Sequence, residues 1–171
     1  MFKRRILKLW LILAKTLRSR SYMKIYNRFL KACGMDISGN IKFIHPSVYI
    51  DTAYAKKIHI GDNCVFSVNT IVLAHDFSVE CGMAAIGLGD LENEKKIVED
   101  VYIDENVFVG AGCVVLPGTH IGKNCIVGAG TVCSGTIPDD SIVVGEKWKI
   151  IANTKEWIKK KQIKIDFEQN K

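Results

Sequence analysis

The sequence predicts an all-β solenoid, and three observations predict it. From about residue 40 to 145 the chain repeats every six residues; each unit opens on a bulky aliphatic side chain; and its second place is often Gly while its fifth is small or β-branched. The clearest run reads Ile103-Asp-Glu-Asn-Val-Phe, Val109-Gly-Ala-Gly-Cys-Val, Val115-Leu-Pro-Gly-Thr-His, Ile121-Gly-Lys-Asn-Cys-Ile, Val127-Gly-Ala-Gly-Thr-Val. An earlier set, Ile60-Gly-Asp-Asn-Cys-Val, Phe66-Ser-Val-Asn-Thr-Ile and Val72-Leu-Ala-His75, has the same form. A period of six is neither a helical stripe nor simple strand alternation. It suits short strands joined by turns, whose opening residues stack in one interior column that no single unit could bury alone. Gly at second place is expected to give a tight corner its backbone freedom. Asn63, Asn106 and Asn124 are expected at another corner.

The elements around this coil follow in order. Residues 1–36 read as a basic amphipathic helical arm: ten Lys and Arg and no acid precede Asp36, although the whole chain carries only +6, so the body is net negative. The apolar run Leu9–Ala14 lies between Lys8 and Lys15, far short of the roughly 20 residues of a membrane-spanning helix. Two fates fit the arm equally, an anionic membrane surface for residues 1–30 or packing on its own or a neighbouring subunit. Residues 37–152 are the β-helix, interrupted at about 76–101 by a Gly-rich, charged loop. Residues 153–171 read as a charged helical tail.

Composition narrows function by exclusion. Cys33, Cys64, Cys81, Cys113, Cys125 and Cys133 form no Cys-x-x-Cys pair. Three of them share the fifth place of a repeat, which points to reduced buried thiols and a cytoplasmic protein. Such thiols face inward without a paired histidine, so none is expected as a nucleophile. No phosphate-binding Gly-x-x-x-x-Gly-Lys motif is present, and the basic arm lacks a nucleic-acid recognition motif.

Among His45, His59, His75 and His120, only His75 stands where the repeat stops and a long loop begins. An imidazole there suits proton abstraction near neutral pH, and a solvated turn histidine fits the same residues equally well. Asp76, one residue on, would point to the opposite face if the strand continues, so the group that orients His75 must come from elsewhere. Asn69 and Asp76 are the candidate acceptor contacts, with a plain turn Asn as the alternative at 69.

Several segments resemble hexapeptide-repeat acyltransferases: Val107-Phe-Val-Gly-Ala-Gly112, Leu116-Pro-Gly118, Ile121-Gly-Lys-Asn124, Val127-Gly-Ala-Gly130, Ile137-Pro-Asp139 and Leu73-Ala-His75-Asp76. The resemblance covers about residues 38–152 and is closest to maltose, galactoside and polysaccharide, capsule or lipopolysaccharide O-acetyltransferases. It departs at Gly145-Glu-Lys-Trp-Lys-Ile and at Phe108, where the family often has Trp. It implies a left-handed parallel β-helix, a homotrimer with active sites between subunits, and acetyl-CoA as donor to a sugar or glycolipid hydroxyl. It also implies His75 as general base, with no metal. Gly110, Ala111, Gly112, Gly128 and Ala129 would admit the pantetheine arm to the main chain, and Lys147 and Lys149 would meet the CoA phosphates. Two other readings compete: a non-catalytic scaffold in a membrane-associated glycan-synthesis complex, and a carbonic-anhydrase-like zinc enzyme, which would need about three converging histidines.

Overall fold

The computed structural model of the protein describes residues 2–16, 21–85, 96–145 and 149–153. Two helices come first, α1 (Phe2–Thr16) and α2 (Tyr22–Cys33). Then follow β1 (Asp36–Ile37), β2 (Phe43–Ile44), β3 (Tyr49–Ile50), a 3-10 turn (Thr52–Lys57), β4 (Ile58–Ile60), β5 (Val65–Phe66), β6 (Ile71–Val72) and β7 (His75–Asp76). Beyond these lie α3 (Ser78–Ala85), β8 (Ile97–Val98), β9 (Val101–Ile103), β10 (Phe108–Val109), β11 (Val114–Val115) and β12 (His120–Ile121). The coil ends with β13 (Ile126–Val127), β14 (Val132–Cys133), β15 (Thr136–Ile137), β16 (Ser141–Val144) and β17 (Lys149–Asn153).

The chain visits three parallel sheets in rotation: β1-β4-β9-β12-β15, then β2-β5-β10-β13-β16, then β3-β6-β11-β14. Phe108 faces Ile126 and Val114 faces Val132, each pair eighteen residues apart, so a rung is three repeats long. The opening side chains are all buried, in three stacks and not the single column expected: Ile60, Ile103 and Ile121 on the first sheet, Phe66, Val109 and Val127 on the second, and Val72 and Val115 on the third. Each is worth about 1.5–3 kcal/mol of burial. Cys64, Cys113 and Cys125 are buried beside them, and all six cysteines are free. Burial pushes the Cys64 thiol up to about 11 and Cys133 to about 12.

The glycine expectation needs correcting. Left-handed backbone falls on the fourth place of the unit, at Asn63, Asn69, Asn106, Gly112, Gly118, Asn124 and Gly130. The second-place glycine is required for space instead: a Cβ on Gly110 would stand 2.6 Å from the Ala129 nitrogen in the next coil. At one corner the fourth-place amides form a ladder, Asn63 donating to Asn106 (2.7 Å), Asn106 to Asn124 (3.2 Å) and Asn124 to Asp140 (3.0 Å).

The flanking elements differ from the sequence reading. Only α1 is an arm; α2 buries Tyr22, Tyr26, Phe29 and Leu30 against the first coil. Gly34 closes α2 with φ 99°, its N–H bonded to the Leu30 and Lys31 carbonyls. The inserted segment opens with β7 and α3 and returns through β8, which pairs antiparallel with β7; residues 86–95 lie outside the described residues. At the end of the β-helix β17 folds antiparallel onto β16 and runs to Asn153; the rest of the helical tail expected over 153–171 lies outside the described residues.

Candidate active site

His75 emerges where the coil leaves the third sheet. Val72 and Ala74 are fully buried, and the next side chain, His75, is 20% exposed. β7 pins it, with His75 opposite Val98, and the Glu99 N–H bonds the Ala74 carbonyl at 3.1 Å.

A buried carboxylate holds the ring. The His75 Nδ1 is hydrogen bonded to Oδ2 of Asp51, whose side chain is 0% exposed. The same oxygen lies 3.4 Å from the Ala74 nitrogen, and Asp51 Oδ1 has no hydrogen-bond partner among the described residues. A carboxylate only accepts, so the hydrogen sits on Nδ1 and the lone pair on Nε2, on the side away from Asp51. The corner that carries Asp51 is longer than that of a regular rung: ten positions separate Ile50 from Ile60, against six between Val115 and Ile121. The extra residues form the 3-10 turn, which lays the Tyr54 ring 4.6 Å from the imidazole centroid. Phe77 meets the imidazole edge-on at 5.1 Å, and the Lys96 ammonium stands 5.5 Å from the Tyr54 ring and 5.6 Å from Phe77. The site is therefore an oriented imidazole in an aromatic frame.

Asp51, Tyr54 and Phe77 were not anticipated. The signal for Asp51 was an acid directly after the apolar pair Tyr49-Ile50, where the corresponding strands are followed by Leu73 and Leu116. Asp76 faces away from His75 and caps α3, accepting from the Ser78 N–H (2.7 Å) and Oγ (2.9 Å); these bonds hold its carboxyl below the usual range. Asn69 is a left-handed corner residue, in series with Gly112 and Gly130, and its N–H bonds Ser47 Oγ at 2.9 Å.

Gly110, Ala111, Gly112, Gly128 and Ala129 stack at the corner that leads into the third sheet, whereas His75 lies at the corner leading out of it. The structure does not bring these two groups together within one chain. At the glycine corner, the Gly110, Gly112, Gly128 and Gly130 amides bond the Val127, Val68, Val143 and Ala111 carbonyls. Lys149 is exposed on β17, and Lys147 lies outside the described residues.

The remaining histidines have other partners. His59 lies 3.2 Å from Asp36 and 3.1 Å from Asp100 and stacks on Tyr102; His120 lies 3.1 Å from Asp104; and His45 Nδ1 is 2.8 Å from Ser47. Among the described residues no three metal-ligating side chains converge.

Comparisons with known proteins agree with this architecture. Residues 100–135 match the family model described as bacterial transferase hexapeptide (six repeats). The chain is similar to the galactoside O-acetyltransferase of Lactococcus lactis subsp. lactis (strain IL1403), 29% identical over 116 residues, which is 60% of this chain and 56% of that protein. It is also 27% identical over 117 residues to WbbJ of Escherichia coli (strain K12), to which O-acetyl transfer in lipopolysaccharide biosynthesis is ascribed; the match covers 65% of this chain and 60% of WbbJ. The chain thus spans somewhat over half the length of these relatives. A solved hexapeptide-repeat acetyltransferase from Vibrio cholerae O1 biovar eltor, complexed with acetyl coenzyme A, shares the fold. Its TM-score is 0.58 at 19% identity, covering 89% of this chain and 87% of that one.

Proposed function

We propose that the chain, similar over much of its length to hexapeptide-repeat acetyltransferases, is an acetyl-CoA-dependent O-acetyltransferase acting on a hydroxyl of a sugar or glycan precursor. The observation that carries this reading is the Asp51–His75 pair at the mouth of the inserted segment. His75 Nε2 takes the acceptor proton as the hydroxyl oxygen attacks the thioester carbon. Asp51 holds the tautomer and compensates the imidazolium that forms. Collapse of the tetrahedral intermediate expels the CoA thiolate, which regains a proton from His75. Buried thiols with raised pKa values favour direct transfer over an acyl-enzyme.

The donor lies along the small-residue corner. Bonds inside the coil occupy the glycine amides there and leave those of Ala111 and Ala129 for the pantetheine arm and the developing oxyanion. Lys147 and Lys149 meet the CoA phosphates. Since His75 and this corner occupy different edges, the complete site needs a second chain. A head-to-tail contact between the two edges closes into a ring, here a trimer of left-handed coils. The outward apolar rows Phe43–Phe108 and Tyr49–Ile71, one on each sheet beside the small-residue corner, supply surface for it.

The apolar stripe Ile6, Leu9, Trp10 and Leu13 on α1 is exposed, Leu9 by 68% and Trp10 by 57%, among basic neighbours. This stripe supports a peripheral seat on the anionic inner face of the cell membrane, beside a glycolipid acceptor. No helix among the described residues is long and apolar enough to cross a membrane.

The test is thiol release from acetyl-CoA against a panel of sugars and glycolipids, comparing wild type with His75→Ala. Acceptor-dependent release that falls about 100-fold or more in the variant is expected. Equal rates from the two proteins remove His75 as the base.

A further inference from the structure

α1 is turned the opposite way from an ordinary surface helix. Such a helix buries its apolar stripe and gives its charges to solvent. Here much of the apolar stripe is exposed, whereas Arg4, Arg5 and Lys8 line a groove of about 440 Å³ between α1 and the body. Phe29 of α2 contributes to the apolar part of its wall, and Tyr49 and Thr52 close its far side. No carboxylate lines the groove among the described residues, and no salt bridge found among them engages any of the three cations. Neither helix carries a carboxylate that could neutralise them, and the side-chain partner found among the described residues is the Cys33 thiol, hydrogen bonded to Arg4.

The groove opens beside the candidate active site. Thr52, in its wall, directly follows Asp51, and two residues further on the Tyr54 ring lies tilted against His75. Successive Cα atoms are about 3.8 Å apart, so the Thr52 side of the groove wall belongs to the same corner as the residues that hold the imidazole.

We infer that Arg4, Arg5 and Lys8 form a binding site for the phosphate or diphosphate ester of a phosphorylated sugar acceptor. The inference deepens the acetyltransferase reading and rests on it for the identity of the acceptor. Three cations with no acid among them attract a multiply charged anion, and Arg supplies paired donors matched to phosphate oxygens. An apolar wall accepts the rest of the molecule, a lipid chain or a nucleoside base. The site fixes the phosphate at one end of the corner and presents a sugar hydroxyl to Nε2 of His75 at the other.

The test measures binding without acetyl-CoA, using wild type and an Arg5→Gln/Lys8→Gln double variant; both side chains are exposed, so the fold is preserved. One arm titrates a soluble nucleotide-diphosphate hexose beside the methyl glycoside of the same sugar. The other uses phosphatidylcholine vesicles with and without a polyprenyl phosphate. Phosphate-dependent binding weakened about 10–100-fold in the double variant supports the site. Loss in the vesicle arm alone identifies a lipid-linked source, and loss in the soluble arm alone a nucleotide-linked one. Unchanged phosphate binding in both arms overturns the inference. Thiol release from acetyl-CoA, assayed in parallel, keeps the two readings apart: no acceptor-dependent release by wild type removes the acetyltransferase, equal turnover by His75→Ala removes only the base, and either result leaves the phosphate site standing.

Discussion

The Asp51 carboxylate accepts a hydrogen bond from Nδ1 of His75 across one corner of the coil, although twenty-four positions separate the two residues. Asp51→Asn keeps the shape but replaces an acceptor-only group with an amide that can donate, so the ring can settle in the tautomer with its hydrogen on Nε2. We expect kcat to fall about 10²–10⁴-fold with KM for acetyl-CoA little changed and a near-native melting temperature. A kcat within threefold of wild type shows that the pair does not orient the base.

The thiols divide into two classes. Cys81 is exposed and Cys33 half-buried, whereas Cys64, Cys113, Cys125 and Cys133 are buried. Native-state labelling with a maleimide at pH 7.5, read by peptide mass, should modify Cys81 first and the four interior cysteines only on unfolding. Labelling of Cys113 before global unfolding contradicts the inward orientation of the repeat's fifth place.

Gly110→Val and Gly112→Asn separate two uses of glycine. A Cβ on Gly110 meets backbone atoms of the next coil at 2.6 and 2.8 Å, while Gly112, at φ 66°, has nothing within 4 Å. The first substitution should destabilise by about 1–3 kcal/mol. The second should cost less than about 1 kcal/mol, because Asn tolerates the left-handed region. Equal losses in denaturant titrations contradict the distinction.

The Asp76 carboxyl is held below its ordinary value by the Ser78 N–H and hydroxyl. A depressed folded pKa gives stability that is present above the unfolded value of about 3.8 and lost as pH falls through the folded one. Amide exchange in the first turn of α3 should therefore be faster in Asp76→Ala than in wild type at pH 6, and the difference should fade on approaching pH 3. A difference of constant size across that range excludes the carboxylate as the cap.

The stripe on α1 gives a fifth expectation. Leu9→Glu/Trp10→Glu should lose binding to anionic vesicles about tenfold or more in sedimentation assays, without change in melting temperature. Point changes are preferable to removing residues 1–30, because Tyr22, Tyr26, Phe29 and Leu30 belong to the core.

The coil was legible because its period is enforced at every rung: an opening residue such as Val109 or Ile121 has no other place to go, so the sequence records it. His75 was legible as the point where that enforcement stops. Asp51 was not, since its pairing depends on four extra residues in one corner, and a corner's length does not announce what it faces. The second-place glycines showed that a small residue was needed, but not whether for φ or for room. Only the distance from Gly110 to the next coil separates the two.

α2 has a consequence beyond packing. A parallel coil grows by adding rungs to an open end, and its lowest rung would offer unpaired amides and an apolar column to any neighbouring copy. The helix seals that end with Tyr26, Phe29 and Leu30, so copies of the chain have no route to stacking end over end into fibres there, and association is left to the sides of the prism.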